Sequence, residues 1–424
     1  MKHILFATAL LLLLAGCTKS SYTVIPDAAY LRVFNGLNYT VDVTNKDQPL
    51  PFLAMVMDPE YNASGLITGG KILGDFLDKR APYATPYPAN AGNTDYKNTE
   101  YPGSAKVLVG PVLNGFDLSS WAQVPSGKHR IVFYSRPISP TPFFSLEERD
   151  RKSLLADTTV NFSSGEIYTM EVLQSVYATQ GSLPVNVYLR QEQFSKMAFN
   201  DTSLYVNFYN LSSQGYGAAF GTPLSSNAYV NASNKTVGVG DTMMLYYSLL
   251  KDDMPYPYVD GNKVGTTLIA GYNNVWLGSL TRSQSSGTAP YYGIPMFADV
   301  DTTKGILSKE WELFVLMAPG MTPVPGLVAT SAPQGFISAS NKVVAIGCSN
   351  VANDGKYSTT SAGRQSVPRS GTNLIASSWL PNLVKYTASG NYRQRSFATI
   401  SSIEIINGQV YLMSVQRSYP APAF

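Results

Sequence analysis

Histidine, cysteine and charge are what this chain lacks. Its 424 residues include two histidines and two cysteines, and only 14% are Asp, Glu, Lys or Arg. Two imidazoles exclude a histidine-based zinc site and leave histidine catalysis to His3 and His129 alone. His129 lies in Ser126-Gly127-Lys128-His129-Arg130-Ile131-Val132-Phe133, a turn feeding a strand, on the same side as Ile131 and Phe133. No Gly-x-Ser-x-Gly elbow accompanies it, so it reads as a structural histidine rather than a base. A net charge of +3 gives no reason to expect a nucleic-acid partner. The apolar run at residues 4–14 has about 11 members, well short of the roughly 20 that cross a bilayer.

What the chain has is tyrosine, 28 of them, together with 34 glycines and 27 prolines. Tyrosine-rich, charge-poor composition suits strands and loops better than helices. Short strand candidates, punctuated by Gly, Pro, Asn and Ser, fall at 107–109, 129–134, 185–189, 239–247, 311–316 and 343–346. Asn407-Gly408 is the strongest hairpin turn. The best helix candidate is 144–155, whose Glu147-Glu148-Arg149-Asp150-Arg151-Lys152 reads as a solvated face. Many short strands with few helices predict an all-β protein of sandwiches, because two sheets hide their apolar faces against each other.

An internal repeat divides the chain. Ser164-Gly165-Glu166-Ile167-Tyr168-Thr169-Met170-Glu171-Val172 resembles Asn407-Gly408-Gln409-Val410-Tyr411-Leu412-Met413-Ser414-Val415, a turn feeding a strand in both places. Alternation puts Tyr168, Met170 and Val172 on the core side and Ile167, Thr169 and Glu171 opposite. Tyr30-Leu31-Arg32-Val33-Phe34-Asn35 likewise resembles Tyr205-Val206-Asn207-Phe208-Tyr209-Asn210, a strand ending in a turn-forming Asn. These marks predict two tandem β-sandwich domains, 26–196 and 201–424, the second with larger insertions.

The amino terminus has a positive start, a short apolar core and Leu14-Ala15-Gly16-Cys17, which resembles a bacterial lipoprotein signal. That resemblance implies a signal peptide at 1–16, an acylated Cys17 opening a tether at 17–25, and an address on the outer membrane, with periplasmic and surface-exposed placement both open. With Cys17 acylated, Cys348 has no partner for a disulfide, and its apolar setting after Val343-Val344-Ala345-Ile346-Gly347 reads as a buried, inert thiol. Together with the repeats, the layout is similar to Gram-negative outer-membrane lipoproteins built from tandem immunoglobulin-like or transthyretin-like β-sandwiches. Such proteins include glycan-capture components and pilus subunits.

Gly65-Leu66-Ile67-Thr68-Gly69-Gly70-Lys71-Ile72 nearly copies a phosphate loop, but Ile72 stands where Ser or Thr must hold magnesium, so no nucleotide is expected. Asp299, Asp301, Thr303 and Glu310 match part of a calcium-loop register, opposed by Lys304 where that loop needs Gly. No other cofactor is implied. Trp121, Trp276, Trp311 and Trp379 read as core. Aromatic loops hold the positive content: Tyr83, Tyr87, Tyr96 and Tyr101, then Tyr256 and Tyr258, then Tyr291 and Tyr292, all in Pro/Gly settings. Rigid amphipathic rings stack on sugars or anchor proteins at small entropic cost. The expectation is therefore a non-enzymatic, membrane-anchored protein that captures a glycan or a protein partner. A pilus or surface-assembly subunit is the alternative, and a hydrolase using two carboxylates a second one.

Overall fold

The computed structural model describes residues 25–37, 52–80, 112–113, 115–118, 120–177, 184–200, 203–216, 241–252, 266–272, 275–295, 310–317, 343–346, 384–387, 399–407 and 409–416. These residues are all-β apart from three short 3-10 turns. Strands β1 (Ala29–Asn35), β2 (Phe52–Tyr61), β3 (Ile67–Leu77), β4 (Val112–Leu113), β5 (Phe116–Asp117), β6 (Ala122–Val124), β7 (Gly127–Arg136), β8 (Leu154–Phe162), β9 (Ile167–Gln174) and β10 (Val185–Glu192) make the first half. The second half contains β11 (Ser203–Asn210), β12 (Thr242–Asp252), β13 (Thr266–Leu268), β14 (Val275–Thr281), β15 (Tyr292–Pro295), β16 (Glu310–Met317), β17 (Val343–Ile346), β18 (Val384–Thr387), β19 (Thr399–Ile406) and β20 (Gln409–Gln416).

In the first half, sheet β10-β9-β1-β6 faces sheet β3-β2-β7-β8. Leu31, Val33, Met170 and Val172 from one sheet and Met55, Met57, Ile131 and Phe133 from the other share one apolar core. The second half repeats the plan. Sheet β20-β19-β11-β15 faces a sheet in which β13 and β14 flank β12, and β17 and β18 flank β16. Val206, Phe208, Ile403 and Ile405 meet Met243, Leu245, Leu249 and Phe314 there. Both halves are sandwich-like, and in both the first strand runs parallel to a late one, β1 to β9 and β11 to β19.

That parallel pairing corrects the repeat. The place of β9 in the first half is taken by β19 in the second, not by β20, and β10 corresponds to β20. The matching sequences are Thr169-Met170-Glu171-Val172 and Ser402-Ile403-Glu404-Ile405, with Glu171 beside Phe34 and Glu404 beside Tyr209 in register. The strand-ending asparagines act as expected: Asn35 Oδ1 accepts from Leu37 N at 3.2 Å and Asn210 Oδ1 accepts from Ser212 N at 3.3 Å. The hairpin expected there forms: Ile406 of β19 pairs with Gln409 of β20, with Asn407 at φ 48°.

Other expectations changed. The helix expected over 144–155 is two 3-10 turns, Phe143–Ser145 and Glu148–Arg151, followed by β8. The segment is anchored by Phe143, whose N–H donates to Asp75 Oδ2 at 2.7 Å, and its exposed Lys152–Glu148 pair is the solvated face expected. The glycine-rich stretch at 65–72 is no free loop: Gly65 turns the β2–β3 hairpin at φ 77°, and Gly69 and Gly70 lie within β3. His129 is buried in β7, its ring nitrogens facing Asp58 Oδ2 at 2.7 Å and the Ser126 carbonyl at 3.2 Å. Trp121 is core, but Trp276 is 59% exposed. Trp379 and Cys348 lie outside the described residues.

Candidate functional site

Alternation puts Ile167, Thr169 and Glu171 on the face of β9 opposite its core, yet all eight residues of the strand are buried. The reason is a second layer of packing: the two parallel-pair sheets lie back to back. Ile167 shares an apolar pad with Trp121, Phe194, Ile400 and Val415. Leu173 and Tyr188 share another with Tyr209, Leu211 and Ile406. Gly36 permits the close approach, since a methyl there would sit 2.8 Å from Leu173 Cδ2 and 3.3 Å from Ile406 Cδ1.

Between the pads lies a buried charge cluster. Arg80 Nη1 donates to Glu171 Oε1 at 2.5 Å and also to Glu404 Oε2. Arg190 reaches Glu404 through Nη1 and Glu192 through Nε, the latter at 2.8 Å. Thr169 Oγ1 donates to Glu192 Oε1 at 2.7 Å. Aromatic faces complete the cage: Arg80 sits 4.2 Å from the Phe34 ring and 4.3 Å from Tyr411, Arg190 4.4 Å from Tyr209, and Arg32 3.9 Å from Trp121. Desolvation pushes the Glu171 carboxyl well up. Desolvation pushes Glu404 the same way, but Arg190 and Arg80 together outweigh it and hold that carboxyl at about 2. Burial, assisted by the nearby charges of Arg190 and Arg80 and opposed by Glu192 and Glu404, brings Arg32 down to about 10.

Strongly shifted groups often mark active sites, but ion-pair networks that hold structure shift groups as well. Glu171 and Glu404 have no exposed side-chain surface, so substrate has no access to them in this arrangement. The cluster is therefore a fastening between the halves. Apart from Glu404, its charged members come from the first half: the register places Asn207, Met413 and Val415 in the second half at the positions of Arg32, Arg190 and Glu192 in the first.

Next to this fastening a cleft of about 230 Å³ opens, lined by Tyr188, Tyr209, Phe208 and Tyr292, by Ser279 and Thr281 of β14 and by the serine-rich segment 283–288. No Asp, Glu, Lys, Arg or His is among the described residues that line it. Its wall is a strap at 282–290 between β14 and β15 that crosses to the other half. Arg282 Nε donates to Asp241 Oδ1 at 3.0 Å and Ser283 N to the Asn210 carbonyl at 2.9 Å, fixing the start. Gln284 Nε2 donates to the carbonyls of Leu211 at 2.8 Å and Gln174 at 3.0 Å. Farther along, Tyr188 OH donates to the Gly287 carbonyl at 3.2 Å, Ala289 N donates to Tyr209 OH at 3.2 Å, and Thr288 Oγ1 donates to the Gln191 carbonyl at 3.1 Å. Burial pushes both tyrosine hydroxyls up, so they stay protonated.

Of the tyrosines singled out in the sequence, Tyr292 lines the cleft, its hydroxyl resting where Gly278 lacks a side chain, 2.7 Å from where a methyl would sit. Tyr291 turns the other way, packing against Phe199 at 5.7 Å between ring centroids. Tyr83, Tyr87, Tyr96, Tyr101, Tyr256 and Tyr258 lie outside the described residues, as do Cys17, Asp299, Asp301 and Thr303. Glu310 opens β16, paired with Lys251 and Thr387. No group of three or more metal-ligating side chains occurs among the described residues. Sequence reading missed Tyr188, Tyr209 and the strap. The one available signal was Ser283-Gln284-Ser285-Ser286-Gly287-Thr288, a hydroxyl-rich run directly before Pro290-Tyr291-Tyr292.

No protein-family model matches the chain, and no curated protein matches it in sequence.

Proposed function

We propose that this protein captures a neutral glycan in the cleft beside the joint of its two halves. The observation that carries the reading is the composition of the lining: aromatic, serine and threonine residues, with no charged residue among those described. Aromatic faces stack on the apolar faces of sugar rings, and hydroxyls exchange hydrogen bonds with sugar hydroxyls, whereas an anionic or cationic ligand would find no counter-charge. The strap is held at both ends, so little ordering entropy opposes binding. A volume of about 230 Å³ suits one sugar unit of a longer chain.

In the same reading, the halves are tandem immunoglobulin-like domains and Cys17 carries the lipid that tethers them at the outer membrane, where glycans are met. Labelling with radioactive palmitate should mark the wild-type protein and leave Cys17→Ala unmarked. Screening the protein on an array of neutral and charged oligosaccharides tests the function. Binding confined to neutral glycans and lost in Tyr292→Ala supports it; binding only to charged glycans, or binding untouched by Tyr292→Ala, refutes it.

A further inference from the structure

The cleft accounts for one sugar unit, and the surface beside it extends along the edge strand β14. This strand hydrogen-bonds to β12 on one side, and Ser279 and Thr281 at its end line the cleft. In the ladder, Thr281 pairs with Thr242, Ser279 with Met244 and Trp276 with Tyr246. Thr242, Met244 and Tyr246 alternate along β12, so they share one face of the sheet. Their partners share it too. Simple alternation would send Trp276 and Ser279 to opposite faces, but a bulge between Leu245 and Tyr246 absorbs Leu277 and brings Trp276 back to the side of Ser279.

Trp276 is 59% exposed, whereas Trp121 is 1% exposed. Its separation from Ser279 along the strand is about 10 Å at the rise of an extended chain, roughly the span of a disaccharide. No charged residue lies between them in β14. An indole is the strongest single stacking platform for an uncharged ring face. Holding it outward by a bulge, on the sheet face of Ser279 and Thr281 beside the cleft, gives an extended ligand a second aromatic contact.

We infer that Trp276 forms a distal subsite for a linear, neutral oligosaccharide whose terminal unit occupies the cleft. This rests on the glycan reading above and adds chain length as the recognised property: short glycans engage the cleft alone, longer ones the cleft and the indole.

The test compares full-length wild-type, Trp276→Ala, Trp276→Phe and Tyr292→Ala proteins, titrated with disaccharides and hexasaccharides of neutral glucan, mannan and xylan. Binding is read by calorimetry and tryptophan fluorescence. In the wild type, a hexasaccharide should bind at least tenfold more tightly than its disaccharide and shift tryptophan emission to the blue. Trp276→Ala should remove that advantage and the shift while leaving disaccharide affinity unchanged, and Trp276→Phe should recover part of it. Because the indole is exposed, the urea midpoint should not move. If Trp276→Ala binds the hexasaccharide like the wild type while Tyr292→Ala has lost it, the distal subsite is wrong and the cleft stands. Wild-type protein binding neither length of any of these glycans would overturn both.

Discussion

Glu171 and Glu404 meet at one nitrogen: Arg80 Nη1 donates to both carboxylates, which occupy the same place in the two halves of the chain. Two buried carboxyls converging on one guanidinium are a local conflict. It is resolved by unequal treatment, since Arg190 adds a second cation to Glu404, whereas Glu171 is paired with Arg80 alone among the described residues. The joint between the sandwiches is thus a balance of desolvation against ion pairing, and it holds the tyrosines that face the cleft.

Removing Glu404 should be costly. Glu404→Leu leaves Arg80 and Arg190 short of a buried counter-charge, and breaking such a pair costs about 3–5 kcal/mol. Glu171→Gln replaces a carboxyl already pushed toward its neutral form and keeps an oxygen acceptor, so its expected cost is under about 1.5 kcal/mol. Urea unfolding of both variants checks the ranking; equal losses would contradict the asymmetry.

The same pair predicts the pH profile. Glu404 is depressed from 4.5 to about 2, so its contribution is present above 4.5 and lost as pH falls through about 2. Glu171 is raised above 4.5, so its contribution is full below 4.5 and declines as pH rises through its folded value. Stability carried by this pair should therefore peak near pH 4.5, falling by up to about 1.4 kcal/mol per pH unit on each side. In Glu171→Gln the alkaline decline should vanish while the acid limb remains. Denaturation midpoints across pH 2 to 9 supply the measurement.

Asn407 has two roles that a substitution can separate. Its backbone at φ 48° suits Asn or Gly, and its side chain accepts from Ser213 N at 2.8 Å and donates to Ser213 Oγ at 2.9 Å. Asn407→Ala should cost about 2–3 kcal/mol from both causes, and Asn407→Gly about 1–2 kcal/mol from the lost hydrogen bonds alone. Thermal unfolding of the two variants distinguishes them.

The strap should loosen without disturbing the cores when its tyrosine anchor loses a hydroxyl. Tyr188→Phe removes the bond to the Gly287 carbonyl, worth about 1 kcal/mol. Amide hydrogen exchange should quicken over 283–290 and stay unchanged in β2, β7 and β12. Faster exchange across all of these strands would show that Tyr188 acts through the fold as a whole.

Much of this was legible in particular residues. The apolar alternation of Tyr168, Met170 and Val172 identified the core side of β9, Asn35 and Asn210 marked strand ends, and Asn407-Gly408 marked a hairpin. Glu171 was not legible as a buried group, because alternating Thr169 and Glu171 with apolar residues is also how a solvated face is written. The repeat was matched to β20 because Tyr411 and Met413 share spacing with Tyr168 and Met170, while the true counterpart is given by parallel pairing with β11. Trp276 was read as core because the bulge that turns it outward lies in the pairing of β14 with β12, not in the residues themselves.

Strand character, turn positions and the all-β class follow from local chemistry: backbone preference and side-chain alternation act over a few residues and are written in them. The back-to-back stacking of the two sheets, the charge fastening at Arg80 and Arg190 and the cleft beneath the 282–290 strap arose only in three dimensions. Their partners lie far apart in the chain, and the energy of burying a face or a charge depends on what arrives to cover it.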